Sequence, residues 1–263
     1  MNAVRRVLVT GAASGIGQAT ATLLRERGDE VLGVDLRGAD IDADLATPEG
    51  RSRVIDAVSE YTGTERGGID AIAACAGLVE PRAVTARVNL FGVTEVVTGL
   101  RPVLAESSAP RVAVVGSVSG AHPGDDELVD ACLSEDESAA VQRATALAEG
   151  DMPHLIYASS KAALARWVRR TCVRPGWADA GITLNAVAPG TVRTGLSEFV
   201  FTDPELKAAM DEFVPMALNG YAEPDAIARC LLWLVDVTNT HMTGQILYVD
   251  GGAEVTLRGD SQW

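Results

Sequence analysis

The stretch Val7-Leu8-Val9-Thr10-Gly11-Ala12-Ala13-Ser14-Gly15-Ile16-Gly17 changes character half-way along. Its first four residues are a short β-rich run, the form of a strand buried on both faces. From residue 15 to residue 27 the pattern is helical, and Gly28 stops it. Between strand and helix lie glycines in a G-x-x-x-G-x-G spacing, which permit a tight turn and a close approach of backbone to a ligand. A helix starting there points free N–H groups and the positive end of its dipole at an anion. The expected anion is the pyrophosphate of a dinucleotide. Taken alone, the glycines also suit a purely structural turn, but their place between a first strand and a first helix favours the binding role.

Working outward, residues 30–35 form a second strand that ends in Asp35, 18 residues beyond Gly17. A carboxylate there can accept hydrogen bonds from the adenosine ribose and would repel a 2′-phosphate, so NAD is expected over NADP. Arg37 stands close by, with Asp40, Asp42 and Asp44 as its expected partners. Thr47 caps a helix with Pro48 in its first turn, running to about residue 61. Further strands are read at 69–74, 111–116, 182–187 and 245–249, and helices at 86–104, 157–173 and 224–234. This alternation predicts an α/β fold: a doubly wound parallel sheet of Rossmann type, in a single domain over residues 1–263.

Composition narrows the function classes. Of the 263 residues, 47% are apolar and the formal net charge is −14, which argues against a nucleic-acid partner, since phosphate contacts need clustered cations. No apolar run is long enough to span a membrane. Arg5-Arg6 ahead of an apolar run resembles an export signal, but the run stops at Gly11, so a cytoplasmic protein is expected. Cys75, Cys132, Cys172 and Cys230 show no paired spacing and read as free thiols. His122, His154 and His241 are too scattered for a metal site, and no metal is expected.

The chemistry is carried farther along. Tyr157-Ala158-Ser159-Ser160-Lys161 sets a phenol and an ammonium four residues apart, on one helix face. An unperturbed phenol has a pKa of about 10, and a neighbouring ammonium favours the phenolate. Ser159 and Ser160 read as ordinary helix residues. Ser117 closes a strand in Val114-Val115-Gly116-Ser117, at the sheet edge where such folds bind ligands. Cys75-Ala76-Gly77, Asn89, the run Asn185 to Thr194 and Tyr248-Val249-Asp250-Gly251-Gly252 complete an ordered set.

Six motifs in this order resemble the short-chain dehydrogenase/reductase family over nearly the whole chain. Within it the chain is most similar to the bacterial hydroxysteroid dehydrogenase/carbonyl reductase branch. The short link from Asp35 to Leu45, the long insertion before Tyr157 and the run Phe213 to Met216 carry that likeness. One departure stands at 74–77, where the family's Asn-Asn-Ala-Gly reads Ala-Cys-Ala-Gly. The missing Asn side chain usually helps tie the sheet together.

The resemblance implies NAD(H)-dependent hydride transfer between a secondary alcohol and a ketone, with a hydroxysteroid or another bulky apolar carbonyl compound as the small-molecule substrate. Alternatives are another secondary alcohol or dihydrodiol, or a protein that binds NAD without turnover. Tyr157 would be the general acid/base, Ser117 would bond the substrate oxygen, and Lys161 would hold the nicotinamide ribose and depress the Tyr157 pKa. Asn89 would hold a relay water. Cofactor contacts are implied for Gly11, Ser14, Gly15, Ile16, Gly17, Asp35, Leu36, Asp44, Leu45, Ala76, Gly77, Tyr157 and Lys161. At the nicotinamide end they are implied for Pro189, Gly190, Thr191, Val192 and Thr194. Residues 195–220 would form a substrate lid, with ordinary helix core as the alternative for its apolar side chains. The acidic insertion, 122–154, carries Ser134-Glu135-Asp136-Glu137, a capping-box pattern ahead of a helix to about residue 149. It would leave a homo-oligomer in dimeric rather than tetrameric form.

Overall fold

The computed structural model describes residues 4–63 and 68–261. Its strands are β1 (Arg6–Thr10), β2 (Glu30–Asp35), β3 (Ile41–Asp42), β4 (Ala71–Ala74), β5 (Arg111–Val115), β6 (Thr183–Pro189) and β7 (Ile246–Val249). They form one parallel sheet in the order β3-β2-β1-β4-β5-β6-β7. The order reverses between β1 and β4, which opens a crevice at their carboxyl ends. The two-residue β3 is absent from the sequence reading, because a pair of residues shows no periodicity.

Alternation along the strands feeds two cores. Val7 and Val9 of β1, with Ala71, Ala73 and Ala113, face helices α1 (Gly15–Arg27) and α11 (Pro224–Leu234) through Ala21, Leu24, Ile227 and Leu231. Leu8, Ile72, Ala74, Val112 and Val114 face the other side, where Val54, Val97 and Leu164 pack. These come from α2 (Pro48–Gly63), α4 (Gly92–Gly99) and α8 (Leu155–Thr171). Each fully buried Leu or Ile contributes roughly 1.5–3 kcal/mol. Gly28 ends α1 in the left-handed region at φ 95°, and Thr47 Oγ1 accepts from Gly50 N at 3.0 Å, as the capping signals require.

Two expected helices take other forms. In place of one helix over 86–104, the chain starts at α3 (Ala83–Ala86), widens into a π turn over Arg87–Phe91, continues as α4 and ends in α5 (Arg101–Leu104). The insertion is a helical hairpin, α6 (Asp126–Leu133) and α7 (Glu137–Glu149). Ser134 does not cap α7 but ends α6. Glu135 takes a left-handed turn at φ 60°, and Asp136 caps α7 by accepting from Ala139 N. Glu137 is thereby freed to pair with Arg51 (2.5 Å) and Arg87 (3.3 Å). The hairpin is anchored by Asp125, which caps α6 and accepts from Arg143 Nε at 2.9 Å and Nη2 at 2.6 Å.

The segment after β6 carries α9 (Glu198–Thr202) and α10 (Pro204–Phe213), and the chain ends in α12 (Ala253–Arg258). No residue of α10 is buried, so it is not ordinary helix core.

Candidate active site

A cleft of about 520 Å³ lies over the crevice. Every residue expected to bind cofactor lines it, as do Ser117, Tyr157 and Lys161.

The glycine turn is shaped for close approach. A Cβ at Gly17 would stand 2.1 Å from Gly11 O, and one at Gly11, whose φ is +69°, would stand 2.9 Å from Ala76 N. Only glycine fits either place. Ser14 caps α1 in extended conformation without using its side chain, which leaves its hydroxyl on the cleft. A helix N-terminus behind a side-chain-free turn suits a pyrophosphate. Asp35 accepts from Ala13 N (2.9 Å) and Leu36 N (2.7 Å), so its carboxylate is fixed beside the turn. The three expected partners of Arg37 bond elsewhere: Asp40 to Gly33 N, Asp42 to Ala39 N and Asp44 to Ala46 N. Arg37 does not line the cleft.

The link carrying Asp44 and Leu45 is pressed onto α2, where a Cβ at Gly50 would fall 1.9 Å from Asp44 O. Arg51, 1% exposed, holds this link by donating to Leu45 O while pairing with Glu95 and Glu137. The sequence reading missed Arg51. An Arg on an amphipathic helix reads as solvated, and its three acceptors come from three separate segments.

At the other end of the cleft, Ser117 follows Gly116 after β5, and its Oγ accepts from Ser119 N at 3.0 Å, capping the 3-10 turn Val118–Ala121. Gly120 lets that turn lie on α8, since a Cβ there would stand 3.0 Å from the Lys161 carbonyl carbon. Burial pushes the Tyr157 phenol up, and a hydrogen bond with Ser117 opposes this. The expected depression by Lys161 is not the governing effect. Lys161 Nζ lies 5.9 Å from the Tyr157 ring centroid and donates to Val115 O at 2.9 Å. Lys161 itself is 4% exposed, and burial lowers its pKa to about 8.

Asn89 does not line the cleft. Its Oδ1 accepts from Leu78 N (2.8 Å), and its Nδ2 donates to Leu78 O (2.9 Å) and Ser160 Oγ (3.1 Å). The side chain ties α8 to the loop after β4, with the π turn presenting it there. Ser160 therefore does more than fill a helix position, and so does Ser159, whose Oγ accepts from Asp125 N at 2.8 Å and anchors the insertion. Where the family has a second Asn, Cys75 is half-buried and desolvation pushes its thiol up to about 12. The sheet is tied there instead by Thr10, whose carbonyl and hydroxyl oxygens accept from Cys75 N and Ala76 N. Asn185 joins β6 to the chain before β7 through Met242 O and Gln245 N.

A sequence-family model described as enoyl-(acyl carrier protein) reductase matches residues 11–254. The chain belongs to the short-chain dehydrogenase/reductase family. The 3-alpha-hydroxysteroid dehydrogenase/carbonyl reductase of Comamonas testosteroni is 32% identical over 96% of this chain and 97% of its own. The cis-4-hydroxycyclohexanecarboxylate dehydrogenase of Sinomonas cyclohexanicum is 31% identical, covering 95% and 96%. Among solved structures, the 3-alpha-hydroxysteroid dehydrogenase from Pseudomonas sp. B-0831 complexed with NADH superposes with a TM-score of 0.87 at 35% identity, over 97% of this chain and 99% of that one. As a short-chain dehydrogenase/reductase, the chain is an oxidoreductase of alcohol and carbonyl groups that uses a nicotinamide cofactor.

Proposed function

We propose that this short-chain dehydrogenase/reductase is NAD(H)-dependent and interconverts a bulky, uncharged secondary alcohol, of hydroxysteroid type, with its ketone. One observation carries the substrate reading. Among the described residues lining the cleft, Asp35, Asp44 and Lys161 are the only charged side chains. The lining that follows Ser117 and Thr194 in the chain includes the apolar Val118, Leu196, Phe199, Val200, Met210 and Val214, with Ser119 and Ser197 as its uncharged polar members. Such a wall favours a large apolar body with one reactive oxygen. It offers no cation on the 195–220 side for a substrate carboxylate.

Gly11, Ser14, Gly15, Ile16 and Gly17 would hold the pyrophosphate, with Asp35, Leu36, Asp44 and Leu45 at the adenosine end. Ala76, Gly77, Lys161 and residues 189–194 would hold the nicotinamide riboside. The bound nicotinamide supplies or accepts a hydride. Tyr157 gives a proton to the substrate oxygen in reduction and takes it back in oxidation, while Ser117 hydrogen-bonds that oxygen. Because burial raises the Tyr157 pKa, the phenol holds its proton at neutral pH and is set as the acid for reduction. Asn89 acts through Ser160 and Leu78, keeping α8 and the post-β4 loop in register behind Lys161.

The preference for NAD(H) rests on the fixed Asp35 carboxylate and on the lack of a cation in the glycine turn. Four free cysteines support a reducing cytoplasm, and among the described residues no helix is long and apolar enough to cross a membrane. The α6–α7 hairpin packs on α8, which supports a dimer built through α11, where Trp233 is 47% exposed, and the edge strand β7.

A panel of steroid, polycyclic, short and carboxylate-bearing ketones, each with NADH and NADPH, tests the reading. The expected result is lower KM for the bulky neutral ketones and higher kcat/KM with NADH. Equal efficiency on acetone-sized or carboxylate-bearing ketones would overturn the substrate class, and equal use of NADPH would overturn the cofactor preference.

A further inference from the structure

We propose that Met216 is a positioning residue for the nicotinamide end of the cleft, its thioether sulfur fixing the turn at Gly190 and Thr191. The inference rests on the cofactor reading above and goes beyond it, since Met216 itself does not line the cleft.

Three backbone groups of that turn have protein partners. Gly190 N donates to Val249 O at 3.2 Å, tying the turn to β7, and Thr191 O accepts from Ala222 N at 3.0 Å. Thr191 N donates to Met216 Sδ at 3.2 Å. Thr191 is 8% exposed, so water is a poor substitute for that acceptor, and a buried N–H without a partner is costly. Sulfur is a weak acceptor, but it is large and polarisable and can bond while packing.

The sulfur also explains a glycine. A Cβ at Gly190 would stand 2.7 Å from Met216 Sδ and 3.0 Å from its Cε, with Asp250 Cα also at 3.0 Å. A Cβ at Gly251 would stand 2.8 Å from Leu218 O and 3.2 Å from Met216 Cβ. The methionine therefore lies against two glycines.

Its surroundings connect the turn to the rest of the site. Met216 packs with Met210, Val214, Val118, Tyr248 and Ala253. Val118 follows Ser117, while Met210 and Val214 line the substrate end of the cleft. One side chain thus touches the nicotinamide turn from behind while belonging to the cluster that covers substrate.

Met216→Leu keeps volume and apolarity and removes the acceptor. A Met-to-Leu exchange is among the best-tolerated core changes. Met216→Gln returns an acceptor of similar reach. Amide hydrogen exchange at Thr191 and binding of NADH, followed by its fluorescence, are read beside kcat/KM and the melting temperature. In Met216→Leu, Thr191 is expected to lose exchange protection and the NADH Kd to rise about five-fold, as for one lost hydrogen bond, with the melting temperature little changed. Met216→Gln is expected to recover most of both. Wild-type protection at Thr191 with an unchanged NADH Kd in Met216→Leu would overturn the proposal. If Met216→Leu does not fold, wild-type exchange decides: a fast-exchanging Thr191 amide overturns the assignment, and a protected one supports it. Failure of the wild type to bind NADH would count against the cofactor reading instead.

Discussion

Lys161 sits in the interior at a measurable cost. The residue is 4% exposed, and its ammonium donates to Val115 O at 2.9 Å. Burial lowers its pKa from 10.5 to about 8, which corresponds to about 3 kcal/mol of penalty on the charged form. Below pH 8 the lysine is protonated in both folded and unfolded chains, so the folded state bears the full penalty. Between pH 8 and 10.5 the unfolded chain binds more protons, so stability from this group rises with pH. Above 10.5 the lysine is neutral in both states and the penalty is gone. Lys161→Met removes the group and leaves Val115 O without its donor, at about 1–3 kcal/mol. That second effect does not vary with pH. At pH 7 the variant should therefore be about as stable as the wild type or more stable, by up to ~2 kcal/mol, despite losing activity. Its advantage should fall by about 3 kcal/mol between pH 7 and pH 10.5, turning into a deficit. Urea unfolding of both proteins across that range measures the difference directly, because shifts from other groups cancel. A stability difference that stays constant with pH would refute the reasoning.

Tyr157→Phe keeps the ring and removes the proton carrier; kcat should drop by about 10²–10⁴-fold while NADH binding, followed by fluorescence, survives, and a variant retaining most of its turnover would remove Tyr157 from the mechanism. Arg51→Met should destabilise by about 2 kcal/mol in urea unfolding, less than for a fully buried pair because Glu95 is 44% and Glu137 23% exposed and both can rehydrate. A loss under about 0.5 kcal/mol would show the network to be idle. Light scattering on the purified protein should give a dimer mass, and a tetramer mass would contradict an obstructing role for the α6–α7 hairpin.

The sheet and its flanking helices were legible because their signals are local. Gly28, Thr47-Pro48 and the apolar runs each mark a boundary within a few residues, and α1 and β2 fall where those marks put them. The glycine turn and the Tyr157–Lys161 pair were legible for the same reason. What escaped was long-range. Arg51 reads as a surface cation until Glu95 and Glu137 close over it. Ser160 is ordinary until Asn89 reaches it from 71 positions away. Met216 looks like any apolar residue, and its bond to Thr191 spans 25 positions. In the insertion Ser134 and Asp136 compete for one cap. Asp136 wins because Ser134 is already spent at the end of α6.

The π turn over Arg87–Phe91 sets the phase of everything that follows it. An α-helix advances about 100° per residue, and one π turn holds one residue more than an α turn. Within it, Asn89 reaches Ser160; behind it, Val93, Val96 and Val97 join the core cluster. Removing that extra residue would turn the two parts against each other by about 100°. The extra residue thus sets the phase between the part that meets α8 and the part that meets the hydrophobic core. Deleting any single residue of the turn would rotate one half against the other by about a quarter of a circle, a larger disturbance than most substitutions there could cause.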